Sequence, residues 1–271
     1  MMLALGAGAA LAPYLTLGAA LAEPPPDHAA AAERAGLGRI EDFKLSGNEV
    51  IAMLVYPGFT ALDLVGPHYM FASMIGASVH LVTTTASKAP VESDLGLAIA
   101  PTMTLDQCPK ELDVLFVPGG TFGTIAVMKD QKVLDVLRGL AAKSRFVTSV
   151  CTGSLILGRA GLLKGRRATS HWVTRDILRE FGATPVDARV VSDGNVTTGA
   201  GVSAGMDFGL ALLAALRGEN YARAIQLQAE YAPQPPFESG TPDTAPGNVT
   251  AAMTSLFKRF ADAAREAARS G

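Results

Sequence analysis

A single cysteine stands where the sequence predicts that a strand ends and a helix begins. Cys151 follows the β-branched run Phe146–Val150 and precedes the helical pattern Ser154–Ala160, and its small neighbours are Ser149 and Gly153. This pattern is typical of a nucleophile elbow, a tight strand-to-helix turn that presents one reactive side chain. Free amides and the helix dipole should lower the pKa of a thiol there and favour the thiolate. A buried structural cysteine is the alternative.

A carboxylate follows an earlier predicted strand. Asp63 comes after the apolar run Val50–Tyr56 and before a helix that Pro67 is expected to open. Taken alone, Asp63 is interpreted as a helix-entry residue that accepts backbone hydrogen bonds. Beside a cysteine thiolate, however, its pKa should rise, so that it holds a proton near neutral pH and acts as an acid or a base.

Four further residues complete the predicted site. Gly119 and Gly120 lie in the turn after the predicted strand Val114–Val117, and their amides, together with the Thr152 amide, are expected to donate to developing negative charge. His171 has two interpretations, as the base of a Cys–His pair or as a partly buried structural histidine.

The metal-binding residue types are few. The chain has 4 histidines, none at a metal-ligand spacing, and its 2 cysteines, Cys108 and Cys151, are too few for a cysteine-only zinc site or a disulfide framework. We therefore predict no metal and no cofactor. Cys108 is interpreted as incidental, with a Cys108–Cys151 bridge as a minor alternative in an oxidising compartment.

Alternating strands and helices must position these residues. Short apolar or β-branched runs predict strands that are covered on both faces, as in a parallel sheet. These strands lie at 50–56, 78–84, 114–117 and 146–150, and helical patterns lie at 67–75, 131–143, 154–160, 173–181 and 202–217. A small hairpin at 94–101 and two short strands around 192–195 complete one doubly wound α/β domain. Such sheets bind ligands at the carboxyl ends of their strands, where Asp63 and Cys151 fall.

Composition excludes several classes of protein. The 271 residues are 49% hydrophobic and carry a formal net charge of −2. This composition is ordinary for a globular protein and lacks the basic excess expected of a nucleic-acid partner. No GxxxxGK[ST], GxGxxG or HExxH pattern occurs. We therefore expect a small-molecule substrate and no nucleic acid.

The first residues have the pattern of a secretory signal. Residues 1–22 carry no charge, are rich in Ala, Leu and Gly, and end in an A-x-A-like site before a proline-rich stretch. Leu3–Gly8 resembles the apolar start of a twin-arginine signal, and the paired Met1–Met2 hints at residues upstream of this sequence. We predict a signal peptide over 1–22, a leader over 23–47, a periplasmic or secreted protein, and no stable membrane insertion after cleavage. An uncleaved membrane anchor is the alternative.

Several segments carry a family resemblance. The chain resembles the ThiJ/PfpI superfamily, whose glutamine-amidotransferase-like, flavodoxin-type domains carry a cysteine at the elbow, and within it the isonitrile hydratase branch. The segments are Val114–Gly120, Val150–Ser154, Ala168–Trp172, Tyr56–Pro67, Gly201–Asp207 and Gln228–Phe237. The resemblance covers residues 48–245, and residues 246–271 are predicted to form a C-terminal helix.

The resemblance implies an activity. It implies a homodimer in which Cys151 is the nucleophile, Asp63 its proton partner and Thr152 a neighbour of the thiol. The implied reaction adds water to an isonitrile through a cysteine thioimidate and releases an N-substituted formamide. The export signal is a departure from the cytoplasmic hydratases, and it leaves the physiological substrate open.

Other functions stay open at this stage. A glyoxalase or deglycase would use the same thiolate on reactive aldehydes. A non-enzymatic ligand sensor or an oxidation sensor would use the same pocket or thiol. A DNA-binding regulator is disfavoured because Ala245–Gly271 is too short for a helix-turn-helix module. The protease branch carries His directly after the cysteine, where this chain has Thr152.

Overall fold

A central sheet organises residues 28–270, the part of the chain that this computed structural model describes. The strands are β1 (Val50–Val55), β2 (Ser78–Thr83), β3 (Val91–Glu92), β4 (Ala98–Ile99), β5 (Met103–Thr104), β6 (Leu112–Val117), β7 (Ser144–Val150), β8 (Arg167–Ala168), β9 (Thr184–Pro185), β10 (Val190–Asp193) and β11 (Val196–Gly199). Seven of them form one sheet in the order β10-β11-β7-β6-β1-β2-β5. All neighbours in this sheet are parallel except β10 and β11, which are antiparallel.

Helices cover both faces of this sheet. The α-helices are α1 (His28–Arg34), α2 (Ala61–Ala72), α3 (Phe122–Lys129), α4 (Gln131–Ala141), α5 (Gly153–Arg159), α6 (Ala204–Arg217), α7 (Glu219–Gln228) and α8 (Gly247–Arg269). Short 3-10 helices span Leu37–Arg39, Leu105–Gln107 and Arg175–Phe181. One group consists of α2, α6 and α7, and a second group consists of α3, α4, α5 and α8.

The central strands are apolar because both of their faces are buried. Ile51–Val55 of β1 and Val114–Val117 of β6 are buried throughout. Unbroken apolar runs of this length are characteristic of strands between two helical layers. The predicted flavodoxin-like, doubly wound α/β fold with a strand–elbow–helix unit is therefore confirmed.

The order in which strands join the sheet reverses between β1 and β6. The connection through α2 leads from β1 to β2 on one side, whereas β6 pairs with β1 on the other side. In open α/β sheets, the crevice at such a switch point, beyond the carboxyl ends of the strands, is where ligands bind. The segments that follow β1, β6 and β7 converge at this crevice.

Some predicted helices differ from the structure. Helix α2 begins at Ala61, so Pro67 lies inside it rather than at its start, and Asp63 occupies its first turn. Pro67 removes only the hydrogen bond that its nitrogen would donate to the Asp63 carbonyl, and the helix continues past it. Residues 175–181 form a 3-10 helix instead of an α-helix, and α3 and α7 were not predicted.

The predicted hairpin near residue 94 is present but separate from the main sheet. Strands β3 and β4 pair with each other in an antiparallel two-stranded sheet, with residues 93–97 as the connection. The edge of the main sheet is β5 instead. The hairpin touches the loop after β1, where the Gly58 amide donates to the Glu92 carbonyl at 2.9 Å and the Asp94 amide donates to the Phe59 carbonyl at 2.8 Å.

A helix lies near each end of the described part of the chain. The predicted signal peptide, residues 1–22, lies outside the described residues, and the leader is described from residue 28, where α1 is the expected short Ala-rich helix. None of the described helices has the length and apolarity needed to cross a membrane. Helix α8 packs against α3, with the rings of Phe122 and Phe260 6.0 Å apart. The division between residues 48–245 and 246–271 stays a prediction.

A buried ion pair ties the leader to the domain. Arg217, at the end of α6, is 1% exposed, and its Nε donates to Glu49 Oε1 at 2.8 Å. Its other N–H groups donate to the carbonyls of Lys44, Leu45 and Ile75. Burial raises the pKa of Glu49, but the hydrogen bonds from Arg217, Lys44 and the backbone, together with the Arg217 charge, outweigh burial and leave that pKa below its ordinary value. The pair therefore holds residues 44–49 against α6 and the end of α2.

Glu49→Gln should destabilise the protein strongly. The substitution leaves the Arg217 guanidinium buried without a counter-charge, which should lower the free energy of unfolding by about 3 kcal/mol. Urea denaturation measures this change. The control is Asp262→Asn in the exposed pair with Lys258, for which a loss below about 1 kcal/mol is expected. Equal losses in the two variants would contradict a structural role for the buried pair.

Candidate active site

The elbow cysteine sits in a strained turn directly after β7. Cys151 has φ 59°, in the left-handed region that residues with a Cβ seldom occupy. Its amide donates to the carbonyls of Gly199 and Ala200 at 3.0 and 2.9 Å, which fixes the turn against β11. Its carbonyl accepts from the hydroxyls of Ser154 and Ser170 at 3.0 and 3.1 Å. These hydrogen bonds therefore hold Cys151 in a backbone conformation that costs roughly 1–3 kcal/mol.

Asp63 lies against the cysteine from the opposite side of the crevice. It is fully buried, its amide donates to the Thr60 carbonyl at 3.1 Å, and its Oδ2 accepts from the Gly119 amide at 3.0 Å. Its Oδ1 has no hydrogen-bond partner of ordinary geometry within the described residues. The segments after β1, β6 and β7 thus bring Asp63, Gly119 and Cys151 into one contact.

Gly119 occupies a position that has no room for a side chain. A Cβ built there would lie 2.6 Å from Asp63 Oδ2 and 2.7 Å from both Cys151 Cβ and the Thr152 nitrogen. Real Cβ atoms do not approach other atoms so closely. The absence of a side chain at Gly119 is what allows the carboxylate and the thiol to meet.

Burial dominates the protonation of Asp63. It raises the pKa of Asp63 to about 7, against the opposing hydrogen bonds from the Cys151 side chain and the Gly119 amide, and the nearby Asp94 raises it further. The expected direction of the pKa shift agrees with the structure, but the expected cause, a neighbouring thiolate, does not, because the Cys151 hydrogen bond lowers the pKa of Asp63. Asp63 therefore exchanges its proton close to neutral pH.

The expected low pKa of the thiol is wrong. Burial and the Asp63 charge raise the pKa of Cys151 well above its ordinary value, although the Val202 and Thr152 amides hydrogen-bond the sulfur and lower it. The correction has a physical reason, because the elbow is desolvated and faces a carboxylate, and the amides at the start of α5 do not compensate. The pair therefore retains at least one proton through neutral pH, and its titration belongs to both groups together.

The Thr152 side chain clamps the glycine loop. Its hydroxyl donates to the Gly120 carbonyl at 2.6 Å, accepts from the Gly120 amide at 2.9 Å and contacts the Thr124 hydroxyl at 2.9 Å. Thr124 in turn contacts the Tyr56 hydroxyl at 3.0 Å. Only the backbone amide of Thr152 acts on the sulfur.

The role predicted for the two glycine amides needs correction. The Gly119 amide donates to Asp63 and the Gly120 amide donates to Thr152, so both are committed to protein acceptors. The donors that act on the sulfur are the amides of Thr152 and Val202. Sequence reasoning missed Val202, whose φ of 33° marks a second strained backbone position. Its place in the segment 201–207, which carries the family resemblance, was the available signal.

His171 lines a cavity beside the elbow. The cavity has a volume of about 470 Å³, and its wall includes Ser170, Trp172 and Val202. Burial lowers the pKa of His171 to about 4, so the imidazole is neutral at neutral pH. Within the described residues no hydrogen bond joins His171 to the Cys151 side chain, and its ring lies 5.7 Å from that of Trp172 and 5.9 Å from that of Phe257. His171 is therefore a cavity residue here rather than the base of a Cys–His pair.

The second cysteine lies apart from this chemistry. Cys108 and Cys151 are both free and buried, and burial raises the pKa of the Cys108 thiol. No cluster of three or more histidine, cysteine or acidic side chains suited to a metal ion occurs among residues 28–270.

Known proteins share this arrangement of sequence and fold. A sequence model described as the DJ-1/PfpI family matches residues 49–215. The chain belongs to the DJ-1/PfpI family. It is 52% identical over 199 residues to an isonitrile hydratase of Pseudomonas putida, a match that covers 73% of this chain and 86% of the relative.

Further relatives support the family and its fold. A crystal structure of a ThiJ/PfpI family protein from Pseudomonas syringae has a TM-score of 0.82 and 52% identity, and it covers 85% of this chain and 94% of that one. A deglycase of Thermococcus kodakarensis is 32% identical over 146 residues, which is 54% of this chain and 86% of the relative. The predicted superfamily is therefore confirmed.

Gly119→Ala should separate the thiol from the carboxylate. The added methyl group must displace Asp63 or Cys151, so the rate of Cys151 alkylation by iodoacetamide near neutral pH should change several-fold. The control is Gly139→Ala in α4, where an added Cβ meets nothing within 4 Å and an unchanged rate is expected. Circular dichroism checks that both variants fold. An unchanged alkylation rate in folded Gly119→Ala would contradict the close contact.

Proposed function

We propose that this protein adds water to an isonitrile and releases an N-substituted formamide, through a thioimidate on Cys151. The observation that carries the proposal is the buried Cys151–Asp63 contact, which retains one proton beside the sulfur near neutral pH. The 52% identity to an isonitrile hydratase supports the same chemistry.

The first step joins the sulfur to the terminal carbon of the isonitrile. As the S–C bond forms, the S–H bond breaks and Asp63 takes the proton from sulfur. Asp63 then delivers this proton to the same carbon, which yields the thioimidate R–N=CH–S. Because the pKa of Asp63 is about 7, it can both accept and donate a proton at neutral pH. The Val202 and Thr152 amides stabilise negative charge that develops on sulfur.

The second step hydrolyses the thioimidate. Asp63, again a carboxylate, takes a proton from water as the water oxygen attacks the imidate carbon, and it delivers that proton to the nitrogen. The C–S bond then breaks and the formamide leaves, while the hydroxyl proton of the intermediate passes through Asp63 to the sulfur of Cys151. Covalent capture divides one difficult hydration into two easier steps, and no electron is gained or lost.

Removing either member of the pair should abolish turnover. The assay follows N-cyclohexylformamide made from cyclohexyl isocyanide by chromatography, using residues 23–271. Cys151→Ala should make no product, and Asp63→Asn should lose about two to four orders of magnitude, the span expected when an acid–base group is lost.

Cys108→Ala is the matched control, because it removes the other buried thiol. Its turnover should equal that of the unmodified protein. Full turnover by folded Cys151→Ala would refute the covalent route. No formamide from the unmodified, folded protein would refute the hydratase activity itself.

A second candidate is a deglycase or glyoxalase acting on reactive aldehydes. The Thermococcus deglycase at 32% identity is the observation that favours it. The same thiol would attack an aldehyde carbon and Asp63 would manage the proton. Methylglyoxal consumption without any formamide formation from isonitriles would favour this candidate.

The homodimer and the exported location are proposals as well. Leu62, Val65 and Tyr69 expose apolar surface along α2, the helix that carries Asp63, and this stripe is a suitable contact for a second copy. Sedimentation should give twice the monomer mass, and a Val65→Glu variant should shift towards monomer. Export rests on the apolar residues 1–22, and a mature chain that begins near Glu23 in the periplasmic fraction is the expected result.

A further inference from the structure

We infer that Asp94, in the connection of the β3–β4 hairpin, is a positioning residue for Asp63: through Thr60 it holds the turn that starts α2, and it places a second carboxylate next to that turn. The inference rests on the proposed function, because it concerns the proton that this reaction moves. It adds a residue that lies outside the segments carrying the family resemblance and that does not touch the sulfur.

One hydroxyl connects the hairpin to the helix that carries Asp63. Thr60 Oγ1 donates to Asp94 Oδ2 at 2.6 Å, and the Thr60 carbonyl accepts from the Asp63 amide at 3.1 Å. The Thr60 amide donates to the Gly119 carbonyl at 2.8 Å, which ties the same turn to the loop after β6. Asp94 therefore acts on the turn from which Asp63 projects.

Both carboxylates keep an unsatisfied buried oxygen. Oδ1 of Asp94 and Oδ1 of Asp63 are inaccessible to solvent and have no hydrogen-bond partner within residues 28–270. A buried acceptor without a partner is costly, so a purely structural anchor would be better served by a fully paired side chain. The arrangement is instead that of two like charges placed on either side of Thr60, which disfavours ionisation of the more deeply buried one.

The ionisable groups around Asp63 are few. They are the Cys151 thiol at the elbow, Asp94 in the hairpin and the Tyr56 phenol directly after β1. No lysine or arginine in the described part of the chain contributes to the pKa of Asp63. Burial is the main cause that raises the pKa of Asp63, and Asp94 is the charge that adds to it.

The direction of the effect on activity follows from proton counting. At low pH the pair holds two protons and is inactive, and the active form holds one proton. The Asp94 charge stabilises the two-proton form of the pair. The acidic limb of the kcat/KM profile therefore lies at higher pH than it would without this charge, and Asp63 is a stronger base. Removing the charge should move this limb to lower pH.

Asp94→Asn tests the charge while keeping an oxygen for the Thr60 hydroxyl. With cyclohexyl isocyanide as substrate, the acidic limb of kcat/KM should shift down by roughly 0.5–1 pH unit. Glu92→Gln, an exposed acid on the same hairpin, is the matched control and should leave the limb in place. Thr60→Val removes the hydroxyl bond but keeps the charge, so it should lower kcat with a smaller shift.

A second readout does not depend on turnover. The infrared band of the protonated Asp63 carboxyl, assigned by its loss in Asp63→Asn, should titrate at lower pH in Asp94→Asn. An unchanged infrared titration in the folded variant would overturn the role of Asp94. A shifted titration in a protein that makes no formamide would instead overturn the proposed function and leave the role of Asp94 intact.

Discussion

The contact between the Asp63 carboxyl and the Cys151 thiol is the constraint on which the rest of the site depends. Two groups that ionise to anions are buried together, so at neutral pH they share one proton instead of both ionising. That shared proton is what a covalent hydration needs, because it must leave sulfur and reach carbon within one turnover. A solvated cysteine would also keep its thiol proton at neutral pH, but a solvated carboxylate, with a pKa of about 4, would be too weak a base to take that proton.

The fold supplies this contact through three strand ends. The strand order of the sheet reverses between β1 and β6. This switch point leaves a crevice into which the segments after β1, β6 and β7 project. Gly119 permits the approach by lacking a Cβ, and Thr152 holds the glycine loop in place through Gly120. The positive φ angles of Cys151 and Val202 place strain at the sulfur, where the buried sheet and its covering helices maintain it.

The sequence predicts the architecture well because buried parallel strands leave unbroken apolar runs, and Cys151 stands out because it follows one of them. Asp63 could also be selected, since it follows another such run. The start of α2 could not be predicted, because Pro67 reads as a helix start and is tolerated as an interior residue. The direction of the shift in the Cys151 pKa was predicted wrongly, because the sequence indicates where the helix starts but does not show how deeply the thiol is buried.

Long-range contacts account for the other differences. The glycine amides read as free donors in the sequence, and only the fold shows that Asp63 and Thr152 already accept from them. Asp94 and Val202 reach the site from segments 31 and 139 positions along the chain from Asp63. No local pattern indicates Asp94, and only the family resemblance of segment 201–207 indicates Val202. The pair itself was predictable from residue types at strand ends, whereas its tuning by neighbours was not.

The most direct test of the account is mass spectrometry of the protein quenched with acid during turnover of cyclohexyl isocyanide. The account predicts that the peptide containing Cys151 gains the mass of one isonitrile while substrate remains, and that this adduct disappears as N-cyclohexylformamide formation ends. Steady formamide production with unmodified Cys151 throughout, or an adduct on Cys108 instead, would contradict it.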